Sequence, residues 1–236
     1  MSNIAQQRFF FVTGTDTEIG KTLVASTLVY AMTQRGWKSV GMKPVAAGAE
    51  LQDGVWCNED VQALKAVSNL DGIDKLDRLI NPYLFKLPAA PHIAAQQEQR
   101  QILVDQIMQS YRQLSELAQA GVVEGVGGFR VPLNDKEDSA DMAQRLNLPV
   151  VMVVGMRLGC ISAALLTAEA ITTRGLKLAG WVANNAQHEM NFLQENLSAL
   201  RARLDSPYLG CVPHLENPDA RHAVNYLDLT ALFGEG

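Results

Sequence analysis

The sequence predicts an α/β protein built on a doubly wound, mostly parallel β-sheet. Short apolar runs alternate with longer helical patterns along the 236 residues, as expected when parallel strands are joined by right-handed crossover helices. Several of the runs are apolar at nearly every position, which is typical of parallel strands covered on both faces. No linker, repeat or low-complexity segment divides the chain, so we expect residues 1–236 to form a single domain.

The elements follow from these patterns in chain order. Strands are predicted at Phe9–Thr13, Ser39–Lys43, Val122–Glu124, Val150–Val154, Leu178–Ala183 and Tyr208–Val212. Helices are predicted at Lys21–Arg35, Asn58–Val67, Ile102–Ala120, Ala140–Leu146, Ser162–Thr173 and Glu189–Leu204. The stretch Asp71–His92 contains NPYLF and LPAAPH, which favour a loop with short pieces of structure.

Composition excludes several classes of function. The formal net charge of −5 argues against a nucleic-acid partner. No apolar run approaches the roughly 20 residues that span a bilayer, so we expect no membrane partner. The three cysteines, Cys57, Cys160 and Cys211, are an odd number at unrelated spacings. They favour a cytoplasmic protein over a disulfide-bonded one.

The strongest motif lies between Phe9 and Met32, where an apolar strand, a glycine-bounded turn and a helix follow one another. Gly14 is separated by five residues from Gly20, Lys21 and Thr22, one residue more than the usual phosphate loop. Backbone N–H groups of such a loop face a bound anion, which the helix dipole also favours. Lys21 supplies charge for the terminal phosphates and the Thr22 hydroxyl suits Mg²⁺. The fold class is therefore the P-loop NTPase type.

Other candidates follow the remaining strands, since ligands of open α/β sheets lie beyond the carboxyl ends of the strands. Lys43 closes the second strand, which we expect beside the phosphate loop, and Glu124 ends the third where a Mg²⁺ ligand would lie. Gly125 and Gly127 after it permit close approach of backbone to a ligand. Asp60 starts a helix, where an acid also complements the dipole; spacing alone does not choose it over Asp53 or Glu59.

Two further segments face the same edge. Gly159, Cys160, Ile161 and Ser162 open a helix, with Ser162 expected as its cap. This second helix N-terminus would suit an anion such as a substrate carboxylate, although a plain capped helix explains it equally well. The amides of Asn184 and Asn185 could bind an adenine edge or form an Asx turn. The chain lacks the Asn-Lys-x-Asp pattern that reads guanine, which favours ATP over GTP.

The motifs together resemble those of dethiobiotin synthetases. They are VTGTDTEIGKT, GMKPVAAG, NEDVQAL, NPYLF, PHIAAQ, VEGVGG, LPVVMVVGMRLGCIS, LAGWVANN and LGCVPHLENP, in order across almost the whole chain. The resemblance implies a homodimeric, Mg²⁺- and ATP-dependent enzyme of biotin biosynthesis. Such an enzyme joins CO₂ to 7,8-diaminononanoate through a carbamate and a carbamic–phosphoric anhydride. It closes the cyclic urea of dethiobiotin and releases ADP and phosphate.

The resemblance also implies a role for each matching residue. Lys21 and Lys43 would be the catalytic charges, and Thr22, Asp60 and Glu124 would surround Mg²⁺. ATP would contact Thr17, Glu18, Ile19, Gly20, Lys21, Thr22, Leu23, Asp60, Glu124, Gly125, Val126, Gly127, Asn184, Asn185, Pro213, His214 and Leu215. The diamine would contact Lys43, Ala47, Gly159, Cys160, Ile161 and Ser162.

Two positions depart from the pattern of this family. Ala47 stands where many members have a serine, and Ser162 where members often have asparagine. Both would touch the diamine rather than ATP, so they bear on substrate affinity more than on phosphoryl transfer.

Two other hypotheses fit parts of the sequence. Partition and septum-placement ATPases share this fold class, but they carry a signature lysine where this chain has Asp16. A nucleotide-binding regulatory protein without catalysis would explain Ala47. It would not need Lys21, Lys43, Asp60 and Glu124 together.

Overall fold

A computed structural model describes residues 8–186 and 190–234. The strands are β1 (Arg8–Gly14), β2 (Ser39–Met42), β3 (Val45–Ala46), β4 (Glu50–Gln52), β5 (Val55–Cys57), β6 (Tyr83–Leu84), β7 (Ala120–Glu124), β8 (Val150–Gly155), β9 (Leu178–Asn184) and β10 (Tyr208–Val212). The helices are α1 (Lys21–Gln34), α2 (Glu59–Val67), α3 (Asp77–Ile80), α4 (Pro91–Gln97), α5 (Val104–Leu117), α6 (Ser139–Leu146), α7 (Cys160–Thr173), α8 (Leu193–Arg201), α9 (Ala220–Ala223) and α10 (Thr230–Phe233). Two 3₁₀ turns lie at Ile73–Lys75 and Val224–Tyr226.

The main sheet has six strands in the order β10-β9-β8-β1-β7-β2, and every neighbouring pair is parallel. The chain winds from β1 towards one edge of the sheet and then from β8 towards the other. The carboxyl end of β1 therefore lies at the point where the winding direction changes, which is the usual place for a ligand crevice. This architecture confirms the doubly wound α/β fold predicted from the sequence.

Side chains of β1 alternate between two core layers. Phe9 and Phe11 belong to the layer that also holds Ile107 of α5, while Phe10 and Val12 pack in the layer that holds Leu28 of α1. Each fully buried side chain of this size contributes about 1.5–3 kcal/mol. The two layers clamp β1 between helices, so its carboxyl end is a rigid support for the loop that follows.

Two predicted boundaries near β7 were wrong. The helix predicted at Ile102–Ala120 ends at Leu117, and Ala120 instead begins β7, which was expected to start at Val122. Ala120 pairs with Arg8 of β1 and with Ser39 of β2. Alanine favours helix by intrinsic propensity, but pairing with two neighbouring strands outweighs that preference here.

The stretch Asp71–His92 consists of short pieces of structure joined by loop, as predicted. It holds a 3₁₀ turn, α3 and β6, and α4 already begins at Pro91. The sequence did not predict the parallel pair β3–β6 or the antiparallel hairpin β4–β5. These strands have two or three residues each, too few for a periodic pattern to show.

The remaining differences are small. β2 ends at Met42, so Lys43 is the first residue beyond it rather than the last within it. The helix predicted at Glu189–Leu204 runs from Leu193 to Arg201, and Glu189 lies outside the described residues. Across the described parts of the chain, no helix combines the length and apolar character needed to cross a bilayer.

Candidate active site

The loop between β1 and α1 leaves backbone donors available to an anion. Gly20 occupies the N-cap position of α1 with φ of 82°, and no side chain caps this helix end. The first N–H groups of a helix have no partner within the helix, so they can bind phosphate oxygens. The buried Lys21 ammonium donates to the Asp16 carbonyl oxygen at 2.7 Å, which holds the loop curled over its own lysine.

Glycine at position 20 is required by a contact from the end of β9, which β8 separates from β1. The Nδ2 of Asn184, which ends β9, donates to the Ile19 carbonyl oxygen at 2.7 Å. A Cβ on Gly20 would lie 2.0 Å from that same Nδ2. The amide of Asn184 therefore fixes the position of the phosphate loop rather than lying free beside it.

Other predicted residues of this loop differ in exposure. Thr17 and Glu18 are exposed, and Glu18 has a left-handed φ of 56°. Ile19 is buried in the core layer of α1, and Leu23 is half-buried and packs against that layer. Thr17 and Glu18 thus face solvent where a nucleotide would lie, whereas Ile19 and Leu23 anchor the loop.

Three oxygen-bearing side chains meet at the start of α1. The Thr22 hydroxyl lies 2.5 Å from Asp60 Oδ1 and 2.8 Å from Glu124 Oε1. Glu124 ends β7, the strand directly beside β1, and Asp60 is in the first turn of α2. The structure thus brings together the three residues that the sequence suggested as metal ligands, and it chooses Asp60 over Asp53 and Glu59.

The Lys43 ammonium lies within the same cluster. Its Nζ is 2.7 Å from Asp60 Oδ2, 2.5 Å from Glu124 Oε1 and 3.3 Å from the Gly125 carbonyl oxygen. We expected the strand of Lys43 to lie beside the phosphate loop, but β7 separates β2 from β1. The ammonium nevertheless reaches the site, because the side chain extends over the end of β7.

Burial and charge shift the acid–base equilibria of this cluster. Burial and the nearby Lys43 lower the pKa of Lys21 to about 8. Burial alone would lower the pKa of Lys43, but the charges of Glu124 and Asp60 outweigh it and raise the pKa. Burial raises the pKa of Glu124. For Asp60, burial is outweighed by the charge of Lys43, which lowers its pKa.

The donor atoms of this cluster suit a Mg²⁺ ion. Hydroxyl and carboxylate oxygens are the ligands this hard cation prefers, and it commonly keeps only one or two carboxylates beside waters and substrate phosphates. Glu124 Oε2 is buried without a hydrogen-bond partner, so it has a free lone pair for a cation. Within residues 8–186 and 190–234, no group of three or more His, Cys, Asp or Glu side chains could hold a metal by itself.

Two asparagines that we had not singled out position the cluster. Asn58 caps α2, accepting from the N–H groups of Asp60 at 3.1 Å and Val61 at 3.4 Å, and it donates to the Ala47 carbonyl oxygen at 3.3 Å. Asn81 donates to the Lys43 carbonyl oxygen at 2.6 Å. An Asn before a helical pattern signals a cap, but no local pattern reveals the contact of Asn81.

The glycine turn after β7 packs against the phosphate loop. Gly127 has φ of 62°, and a Cβ there would lie 2.9 Å from Val131 Cγ2 and 3.6 Å from Thr17 Oγ1. A Cβ on Gly128 would lie 3.8 Å from the Gly14 carbonyl oxygen. Backbone of this turn can therefore approach a ligand in the loop. Its two remaining candidates, Gly125 and Val126, are buried and half-buried.

The ends of β9 and β10 meet on the other side of the phosphate loop. The Asn185 N–H donates to the Val212 carbonyl oxygen at 2.9 Å, and His214 Nδ1 lies 2.8 Å from the Ala186 carbonyl oxygen. Asn184 Oδ1 and Asn185 Oδ1 are buried without hydrogen-bond partners, so both amides keep an acceptor available. Pro213 and Leu215 are half-buried beside them. A small cavity here is lined by Glu18, Ile19, Gly155, Met156, Arg157, Asn184 and Ala186.

The start of α7 follows β8, whereas Lys43 and Glu124 lie at the ends of β2 and β7. The expectation that Ser162 caps this helix was wrong: Gly159 holds the N-cap position with φ of 92°, and Ser162 lies inside the helix. Ser162 is exposed, Ile161 half-buried and Cys160 buried. An open, mostly apolar groove runs along this surface, lined by Leu158, Gly159, Ile161, Ser162, Leu165, Leu166 and Asn196.

An ion pair joins the loop before α7 to the phosphate loop. The Arg157 guanidinium, just beyond β8, pairs with the Asp16 carboxylate. Asp16 therefore contacts Lys21 through its backbone and Arg157 through its side chain. The sequence offered no signal for this pair, since its members are 141 positions apart.

Solved structures that share this fold differ strongly from the chain in sequence. A ParA family ATPase from Chlorobium tepidum aligns over 90% of this chain and 86% of its own, with a TM-score of 0.55 and 12% identity. The MinC:MinD cell division protein complex of Aquifex aeolicus gives a TM-score of 0.55 at 13% identity, covering 97% of both chains. Identities this low show a shared P-loop fold and nothing about activity.

Sequence relatives are much closer. The sequence model of a family described as AAA domain matches residues 8–221. An ATP-dependent dethiobiotin synthetase BioD from Aromatoleum aromaticum is 54% identical over 92% of this chain and 95% of its own. One from Janthinobacterium sp. (strain Marseille) is 51% identical over 94% of each. At this identity and coverage, with the phosphate loop and its Lys43 cluster in place, the chain belongs to the dethiobiotin synthetase family.

Proposed function

We propose that this protein is an ATP-dependent dethiobiotin synthetase, a ligase of biotin biosynthesis acting on 7,8-diaminononanoate, CO₂ and ATP. The observation that carries the proposal is the meeting of Lys43, Asp60, Glu124 and Thr22 at the mouth of the phosphate loop. Nucleotide binding alone does not require a second buried lysine there. A reaction that moves the γ-phosphoryl group to an anionic acceptor does.

On the nucleotide side, the loop from Thr17 to Thr22 binds the triphosphate through its N–H groups and Lys21. Thr22, Asp60 and Glu124 would hold Mg²⁺, and the ion would supply positive charge to offset the negative charge of the phosphate oxygens. The free amide oxygens of Asn184 and Asn185 accept hydrogen bonds from the amino group of adenine. Pro213, His214 and Leu215 border the base.

On the acceptor side, one amine of the diamine adds to CO₂ and loses a proton, giving a carbamate. A carbamate oxygen then attacks the γ-phosphorus, and the bond to the β-phosphate bridging oxygen breaks to release ADP. The second amine attacks the carbonyl carbon of the resulting carbamic–phosphoric anhydride, expels phosphate and loses a proton, which closes the cyclic urea. Lys43 balances the negative charge of the carbamate and the transferring group, and preorganised charge of this kind is a main source of catalysis in such reactions.

The carboxylate tail of the diamine is assigned to the first turn of α7, at Gly159–Ser162. This helix has 14 residues and no side-chain cap at its N-terminus, so its first N–H groups are available to an anion. The groove beside it exposes Leu158 at 99% and Leu166 at 64%. We assign this apolar surface to the interface of a homodimer, and we place the enzyme in the cytoplasm.

The proposal is tested by measuring ADP release with ATP and Mg²⁺, with and without diaminononanoate plus bicarbonate, and by detecting dethiobiotin by mass spectrometry. We expect ADP release that depends on the diamine, with dethiobiotin formed in equal amount. Turnover that depends on a protein or DNA partner instead would support a switch ATPase. Nucleotide binding without any turnover would support a regulatory protein, and either result would overturn the proposal.

A further inference from the structure

The Lys43 ammonium has an acceptor for each of its three donors, and two of these acceptors belong to carboxylates that suit a metal. An ammonium group has three N–H donors, and three oxygens lie around this one: Asp60 Oδ2 at 2.7 Å, Glu124 Oε1 at 2.5 Å and the Gly125 carbonyl oxygen at 3.3 Å. Lys43 is only 3% exposed, so water does not compete for these contacts. Lys43 is therefore held by the carboxylates of Asp60 and Glu124, which the proposed function assigns to Mg²⁺.

We infer that Lys43 is a tethered cation that occupies the metal ligands of the nucleotide-free protein, and that loading of the divalent ion releases it to face the reacting phosphoryl group and carbamate. This inference rests on the proposed function, because it assigns a second position to a catalytic lysine. According to this inference, binding of the divalent ion and movement of Lys43 into its catalytic position occur together.

The competition follows from the closeness of Lys43 to both carboxylates. Lys43 donates to Glu124 Oε1 and Asp60 Oδ2, while the single proton of the Thr22 hydroxyl goes either to Asp60 Oδ1 or to Glu124 Oε1. Glu124 Oε2 is left without a partner. A divalent ion bound to both carboxylates either displaces Lys43 from one of their oxygens or lies directly beside its ammonium, and like charges at such distances repel each other strongly.

The chain contains a matched comparison outside the site. Lys65 also bridges two carboxylates, with Nζ 2.6 Å from Asp77 Oδ1 and 3.3 Å from Asp74 Oδ1. Its partners are 63% and 90% exposed, so water screens this cluster. Lys65→Met removes a lysine from a pair of carboxylates without touching the candidate metal ligands.

The first experiment measures Mn²⁺ affinity of the nucleotide-free protein by electron paramagnetic resonance and calorimetry. Lys43→Met keeps the length of the side chain and removes its charge. A positive charge a few ångströms from a cation site opposes binding of the ion. We therefore expect Mn²⁺ to bind at least about tenfold more tightly to Lys43→Met than to the wild type, and equally to Lys65→Met. Equal affinity of the wild type and a folded Lys43→Met protein would overturn the inference.

A second measurement uses the unaltered protein, in case Lys43→Met does not fold. In protein labelled with ¹⁵N at lysine Nζ, the buried Lys43 ammonium should give a slowly exchanging signal, assigned by its loss in Lys43→Arg. We expect saturating Mg²⁺ and ADP to shift this signal and to leave that of Lys65 in place. An unmoved Lys43 signal in nucleotide-saturated protein would contradict the inference, even if the wild type makes dethiobiotin. Absence of dethiobiotin synthesis would contradict the proposed function separately.

Discussion

Replacement of Gly20 by alanine tests the packing that holds the phosphate loop. The new Cβ would lie 2.0 Å from Asn184 Nδ2, so the amide has to leave its hydrogen bond with the Ile19 carbonyl oxygen. The left-handed φ of 82° at this position also becomes unfavourable. Gly175 offers a control, because it has φ of 73° and no atom within 4 Å of an added Cβ.

The two substitutions separate backbone strain from the clash. A left-handed conformation costs a non-glycine residue about 1–2 kcal/mol, and both variants share this cost. Only Gly20→Ala also breaks the hydrogen bond between the Asn184 amide and the buried Ile19 carbonyl oxygen. This loss adds about 1–3 kcal/mol to the destabilisation. We expect Gly20→Ala to destabilise the fold by about 2 kcal/mol more than Gly175→Ala.

Denaturant unfolding measures the stability difference, and calorimetry measures ATP binding by the same proteins. We expect Gly20→Ala to bind ATP at least about tenfold more weakly, equivalent to about 1.4 kcal/mol, and Gly175→Ala to bind it like the wild type. If both variants lost equal stability and kept equal ATP affinity, Asn184 would not be fixing the loop, and our account of this contact would be refuted.

Three further predictions concern the metal, a lysine and the diamine. Thr22→Val removes the hydroxyl shared by two carboxylates; we expect turnover to fall about 100-fold or more, with a higher Mg²⁺ requirement, in assays at varied Mg²⁺. Because the folded pKa of Lys21 is about 8 against 10.5 when unfolded, the folded chain loses this proton first as pH rises. Lys21→Met should therefore exceed the wild type in unfolding free energy at pH 7, by at most about 3 kcal/mol, and this advantage should shrink towards pH 9.5. Ala47→Ser should lower the KM for diaminononanoate severalfold and leave the KM for ATP unchanged. A changed KM for ATP would contradict the assignment of Ala47 to the diamine.

The parts of the fold that the sequence predicted well are those set by local patterns. Val150–Val154 was predicted because all five residues are apolar, and the observed β8 is one residue longer. The phosphate loop was predicted because strand, glycine turn and helix are contiguous. The start of β7 at Ala120 was missed because it depends on pairing with β1 and β2, which local propensity does not include.

Contacts between distant residues limited the prediction of the site. Lys43 and Glu124 are 81 positions apart, Thr22 and Glu124 are 102 apart, and Asn184 and Ile19 are 165 apart. Which strand ends become neighbours depends on the strand order, and apolar runs do not reveal that order. The residue types suggested a metal and phosphate site, but the sharing of Glu124 between Lys43 and Thr22 could be found only in the structure.

The balance of charge in this cluster indicates why nucleotide and metal should arrive together. Lys21 and Lys43 are matched by Asp60 and Glu124, so the cluster is close to neutral before either ligand binds. A triphosphate alone would face lysines whose charge the carboxylates already offset, and a divalent ion alone would face the ammonium of Lys43. With both bound, the ion would be matched by the carboxylates and the triphosphate by the two lysines. Each ligand would remove the electrostatic obstacle to the other, so we expect their binding to be cooperative.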